Sequence, residues 1–196
     1  MNLYADPPLS LYVDPSGARR PIARSGDKVL LWYNSFAKVD DCLGRGGQLR
    51  SFEAVFSPRG KDGLPQKLWD RTTGRIDPVV ARAWQKYDIR LKLERNWETL
   101  EPLLRGKMHI TTGSLDTFYL EGAVEQLAGS LNQLGSDAEI VIVEGKGHGD
   151  VLTADLFRKM RAQMVAAFLQ HHGNAAEASA KRDEASAKRD KPVTAE

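Results

Sequence analysis

Gly113-Ser114-Leu115-Asp116 and Gly145-Lys146-Gly147-His148 are the segments of this chain best suited to do chemistry. Each follows a short apolar run that reads as a buried strand. A carboxylate beside an imidazole holds the ring in one tautomer and stabilises its protonated form. The ring can then take a proton from a hydroxyl nucleophile. Asp116, in a tight turn, suits a fixed orienter. His148, between Gly147 and Gly149, has little steric cover, which suits a side chain that must turn toward a reaction centre. An acid and then a histidine, after successive strands, is the order in which two members of a hydrolytic triad follow their serine. The serine member is the gap, because no Gly-x-Ser-x-Gly occurs in the sequence.

Plainer readings compete at each position. Asp116, before Thr117 and Phe118, would equally cap the helix that starts there, and His148 would equally be an exposed loop residue. A metal site of His148, Asp150 and Asp116 lacks characteristic spacing. His109 lies inside a strand and reads as packed rather than reactive. His171 and His172 read as the end of a helix, where a cation is favoured by the dipole. Gly44-Arg45-Gly46-Gly47 is Gly-rich like a phosphate nest but lacks a following Lys-Ser/Thr, so it reads as a loop. Trp32, Tyr33, Phe36, Phe52, Phe56 and Trp69 would line a substrate cleft or, equally, pack a core. Cys42, beside Asp40 and Asp41, is a poor nucleophile because acids raise a thiol pKa. Ser35 and Ser114 are the hydroxyls that could serve as an unrecognised nucleophile, and neither has the context of a nucleophile elbow.

The elements that must position Asp116 and His148 are legible from Lys107 onward. Met108 to Thr112 reads as a strand. Leu120, Val124, Leu127, Leu131 and Leu134 recur at steps of four and three, which predicts a helix with one apolar stripe. Gly135 supplies the left-handed residue that ends it. The β-branched run from Ala138 to Val143 predicts a second strand. Leu152, Leu156, Met160, Met164 and Phe168 mark a second helix, ending near His171-His172-Gly173. A helix between two strands makes them parallel. Both candidate residues then leave the carboxyl ends of their strands, the edge where sites form in open α/β sheets. Adjacent strands lie about 5 Å apart, so loops 32 residues apart in sequence can meet.

Upstream the pattern is weaker. Val29 to Tyr33 reads as a short strand. Residues 40–75, rich in glycine, read mostly as loop, broken by a strand-like Phe52 to Phe56. Asp77 suits an N-cap and Pro78 the first helical position. Trp97, Leu100, Leu103 and Leu104 suggest a further helical stretch. Three regions follow. Residues 1–106 are a loop-rich segment within the same domain, and 107–173 are the parallel strand-helix-strand-helix unit. Residues 174–196 are a charged tail in which the sequence EASAKRD occurs twice; it has no large apolar residue in the repeats with which to offset its ordering entropy, and reads as disordered and solvated.

Composition narrows the classes of function. A chain of 196 residues is long enough for one domain with a sizeable core. A net charge of +2, with no basic stripe, argues against nucleic acid as the partner. No apolar run approaches the roughly 20 residues that span a bilayer, so no membrane partner is expected. The single Cys42 excludes an intrachain disulfide and a Cys-based zinc site. The N-terminus has no basic and apolar leader pattern, which gives a cytoplasmic expectation for the chain as written.

The stretches Gly113 to Leu120, Gly135 to Ala138 and Gly145 to Asp150 resemble bacterial esterases of the α/β-hydrolase superfamily, a group similar to enterochelin esterases and S-formylglutathione hydrolase. Gln48 to Pro58 and Arg95 to Leu100 are also similar to that group, and the resemblance covers roughly residues 1–170. It implies an α/β fold in which residues 107–173 form the C-terminal half of a hydrolase sheet. It also implies hydrolysis of a small-molecule carboxylic ester without a cofactor or metal, with Asp116 as the triad acid and His148 as the general base. The nucleophile elbow and oxyanion-hole strand of that group would lie upstream of residue 1. The chain is therefore expected to be inactive alone and to need a segment or partner chain that supplies the front half. A non-catalytic binding module on a degenerate hydrolase fold, using the aromatic residues 32–69 and the charged tail, is the alternative.

Overall fold

The computed structural model describes residues 2–43 and 47–189. The Gly-rich segment at 44–46 and the end of the tail therefore lie outside the described residues. The chain divides after Val151 into two compact units. Among the described residues the first holds an antiparallel hairpin, five α-helices, a 3-10 turn and a parallel strand pair; the second is built on one long helix.

The hairpin pairs β1 (Pro21–Ser25) with β2 (Lys28–Trp32). Helix α1 (Tyr33–Cys42) follows directly, and α2 spans Gln48–Phe56. These two helices correct the loop expectation for the start of 40–75 and the strand expectation for Phe52 to Phe56. The reason is tertiary. Leu49 and Glu53, four apart on α2, are both buried. The buried Asp40 carboxylate accepts hydrogen bonds from Leu49 N and Arg50 N, supplying a cap from another helix. A Cβ on Gly47 would stand 2.5 Å from that carboxylate, so the approach requires glycine. Glu53 in turn accepts from Leu68 N at 2.8 Å and from the Arg71 guanidinium at 2.8 Å.

Helix α3 (Pro78–Trp84) starts as the sequence predicts. Asp77 Oδ1 accepts from Val79 N and Val80 N, and Pro78 spends no N–H at the first turn. Asp77→Ala should cost about 1 kcal/mol, the usual worth of an N-cap, read as a lower denaturant midpoint at unchanged slope. After a 3-10 turn, α4 spans Ile89–Leu104 from the Asp88 cap and is kinked at Asn96, whose φ −129 and ψ 21 are not helical; the expected Trp97 to Leu104 stretch is its second arm.

The main core gathers Leu11, Leu49, Leu68, Trp69, Ile76 and Val80. The aromatic residues largely serve packing. Trp69 is buried with its indole N–H on the Tyr12 hydroxyl, Tyr33 meets its ring edge-on, and Phe56 packs against Trp84.

Strands β3 (His109–Gly113) and β4 (Glu139–Val143) pair in parallel, with α5 (Glu121–Gln133) between them in sequence. The register runs from His109 opposite Glu139 to Gly113 opposite Val143. Gly135 takes φ +70, as the helix stop requires. Buried Leu131 seats α5, and Ser130 Oγ donates to Glu94 of α4 at 2.6 Å. His109 is exposed rather than packed. It opens β3 at the end of the strand away from the candidate loops, and its imidazole lies 3.1 Å from the Glu139 carboxylate on the neighbouring strand. Among the described residues no third strand joins the pair, and Val141 and Ile142 of β4 are exposed.

Helix α6 spans Ala154–Arg189. It passes through His171, His172 and Gly173, so these residues do not end a helix. Where the sequence puts a solvated tail, the backbone is helical as far as Arg189. Ala, Glu, Lys and Arg all have high helix propensity, which sustains it there. No helix among the described residues is long and apolar enough to cross a membrane.

Candidate functional site

The parallel pairing places the ends of β3 and β4 side by side, and the two loops that leave them are stitched together. Ser114 N donates to Val143 O and Leu115 N to Lys146 O, both at 2.9 Å. Gly145 N donates to Ser114 Oγ at 2.8 Å. The approach is close at Gly113, where a Cβ would lie 2.0 Å from Lys146 O. Glycine is needed there for space, since its φ is not left-handed.

Across this seam Asp116 and His148 meet. Asp116 Oδ2 lies 2.8 Å from His148 Nδ1. Its other oxygen, Oδ1, accepts from Phe118 N at 2.8 Å and Leu120 N at 3.3 Å. Oδ2 thus faces the histidine, while Oδ1 shapes the turn before α5; the helix begins only at Glu121 and takes no side-chain cap, so Asp116 does not cap it. The Asp116 side chain is 3% exposed and that of His148 48%. One partner is fixed in the interior and the other opens to solvent.

The electrostatics set the proton. Burial alone would raise the Asp116 carboxyl. The His148 hydrogen bond and the two backbone N–H donors outweigh it and hold the group below the usual carboxylate range. Asp116 is therefore ionised at neutral pH and can only accept. The 2.8 Å contact then requires Nδ1–H on His148, which leaves the Nε2 lone pair of the neutral ring available to take a proton. Phe118 meets the imidazole edge-to-face at 5.0 Å between centroids and limits its rotation.

The remaining candidates fall elsewhere. Asp150, the third group of the metal reading, accepts from Gly147 N at 3.0 Å and so shapes the histidine loop. Ser114 Oγ accepts the Gly145 N–H, and Ser35 Oγ donates to Asn34 at 3.4 Å. Among the described residues, Asp116 is the hydrogen-bond partner of His148, and no hydroxyl joins it. Cys42 is exposed at the end of α1.

Sequence reasoning missed Arg24 of β1. Its side chain donates to Asp116 O at 3.0 Å, Ser114 O at 3.2 Å and Glu121 Oε1 at 2.7 Å. Its backbone N–H donates to Thr117 O at 2.9 Å, and its guanidinium lies 4.5 Å above the Tyr119 ring. No local signal marks a residue that acts 92 positions away.

No protein-family model, curated protein or solved structure matches the chain.

Proposed function

We propose that Asp116 and His148 are the acid and general base of a partial, serine-type carboxylic-ester hydrolase. Its nucleophile is delivered by a segment or chain outside this sequence, and this chain alone turns over no ester. The observation that carries the reading is the 2.8 Å contact between a buried carboxylate and a half-exposed imidazole at adjacent ends of parallel strands.

In this reading Nδ1–H stays on Asp116 while Nε2 takes the hydroxyl proton of the incoming serine. The serine oxygen attacks the ester carbonyl, and the imidazolium returns the proton to the leaving alcohol; water, giving its proton to the same Nε2, then attacks the acyl-serine, and the proton goes back to the serine oxygen as the acid leaves. Neither metal nor cofactor is needed. The β3–α5–β4 unit would be the C-terminal part of an α/β-hydrolase sheet. Parallel sheets are ordinarily covered on both faces and extended beyond two strands. Exposed Val141 and Ile142 and the two-stranded sheet leave apolar surface and strand edges for a front half.

Reconstitution tests it. The chain is mixed with, or fused to, a hydrolase front half carrying a strand, a Gly-x-Ser-x-Gly elbow and a helix. Hydrolysis of a short-chain p-nitrophenyl ester is then followed. Turnover should occur only in the assembled pair and vanish with His148→Ala. A soluble assembly without turnover, or one indifferent to His148→Ala, sinks the reading.

A further inference from the structure

We propose that Arg24 is the positioning residue of the Asp116–His148 pair: it fixes the 114–121 loop through backbone carbonyls and thereby aims the Asp116 carboxylate. This rests on the reading of Asp116 and His148 as an acid–base pair and adds the group that sets its geometry.

The loop between β3 and α5 must turn sharply to bring Oδ2 out toward His148 while Oδ1 turns back to Phe118 N and Leu120 N. It does so with Tyr119 at φ +61, the one described non-glycine residue in the left-handed region. An aromatic residue is strained there, so surrounding contacts must hold the turn. Arg24 supplies them. Nε bonds Asp116 O, one terminal nitrogen bonds Ser114 O and the Glu121 carboxylate, the backbone N–H bonds Thr117 O, and the guanidinium plane covers the strained Tyr119 ring. The carbonyl of Asp116 is gripped while its carboxylate is left for the histidine. Arg24 therefore acts through the loop backbone and not as a rival counter-ion.

The fork geometry matters. Three acceptors at different points of one loop suit the spread donors of a planar guanidinium, and a lysine head cannot reach them together. Glu121 anchors the far end. The Arg24 and Glu121 side chains are each 16% exposed, and Glu121 Oε2 has no hydrogen-bond partner among the described residues, so the Arg24 bond is what holds that carboxylate.

The test reads the imidazole and needs no ester turnover. Nitrogen-15 shifts of His148, assigned against His148→Ala and recorded at alkaline pH where the ring is neutral, report the ratio of Nδ1–H to Nε2–H tautomers. The unsubstituted chain should be predominantly Nδ1–H. Arg24→Ala should shift the ratio about tenfold toward Nε2–H, the effect of losing one charge-assisted hydrogen bond. Arg24→Lys should fall between. Glu121→Gln, which keeps an acceptor at Oε1, should leave the ratio unchanged.

Tyr119→Gly, placed in the Arg24→Ala background, relieves the backbone strain and should recover part of the ratio. A folded Arg24→Ala chain with the unsubstituted ratio overturns the proposal; if that variant fails to fold, an unsubstituted ratio in Arg24→Lys does the same. A Glu121→Gln loss as large as that of Arg24→Ala assigns the effect to the ion pair and overturns the carbonyl clamp. Tautomer shifts as expected, together with a reconstituted assembly that hydrolyses no ester, would remove the hydrolase reading and leave the role of Arg24 standing. Ester turnover with an unmoved ratio would do the reverse.

Discussion

Gly113→Ala is expected to lower stability by about 3 kcal/mol, the upper part of the range for forcing a methyl group into a packed interior. The added Cβ would sit 2.0 Å from Lys146 O and 2.5 Å from its carbonyl carbon. Both are backbone atoms, so no rotamer change relieves the clash. The end of β3 must move away from the histidine loop, and the bond from Leu115 N to Lys146 O is the first to go. His148 lies two residues beyond Lys146, so the same movement separates it from Asp116. The variant should therefore lose the Nδ1–H signature of His148 together with its stability. Gly149→Ala is the matched control. Its Cβ meets nothing within 4 Å, and its stability should stay within about 0.5 kcal/mol of the parent chain. Denaturant midpoints at equal slope measure both. Parity between the two variants would mean that the close approach at Gly113 does not hold the site together.

This seam explains why the site was legible in the sequence while its support was not. Gly113, Asp116, Gly145 and His148 stand at fixed steps from two β-branched or apolar runs, and the helix between those runs announces itself by its stripe and by Gly135. Local periodicity places Asp116 and His148 at the ends of two parallel strands; the register from His109–Glu139 to Gly113–Val143 is set by the fold. The first half of the chain has no such local code. Phe52 to Phe56 is short, apolar and aromatic like a strand, but its helical state depends on Asp40, Leu68 and Arg71, which lie outside the segment. Arg24 reads as one more charged residue in a short hairpin strand until the fold brings it to the 114–121 loop. His109 and the His171-His172 pair were misplaced for a related reason: strand polarity sets which end of β3 is exposed, and the Ala- and Glu-rich sequence beyond Gly173 carries the helix past a residue that usually stops one.

Under the proposed hydrolase reading, Asp116→Asn should reduce ester turnover in a reconstituted assembly by about 10⁴-fold while leaving the loop folded, the scale of loss when a triad acid becomes its amide. The amide oxygen can still accept from Phe118 N and Leu120 N, the two bonds that shape the turn. Its NH₂ group then faces His148 and donates. The ring must present Nδ1 as an acceptor and carry its proton on Nε2, so it has no lone pair for the serine hydroxyl.

The same substitution predicts a pH dependence of stability that needs no partner chain. Burial raises the Asp116 carboxyl, but the His148 bond and the two backbone donors bring it below its ordinary value in the folded state. A depressed folded pKa means that the unfolded chain binds the proton more readily. The contribution to stability is then complete above about 3.9, the unfolded aspartate value, and is lost as pH falls through the folded value. The advantage of the parent chain over Asp116→Asn should shrink as pH falls below about that point. Urea midpoints across the acid range measure this directly. A gap that stays flat as pH falls below about 3.9 would mean that the buried carboxyl is already protonated in the folded chain. Asp116 would then donate to His148 rather than accept from it, and the ring nitrogen facing solvent would be the one already carrying a proton.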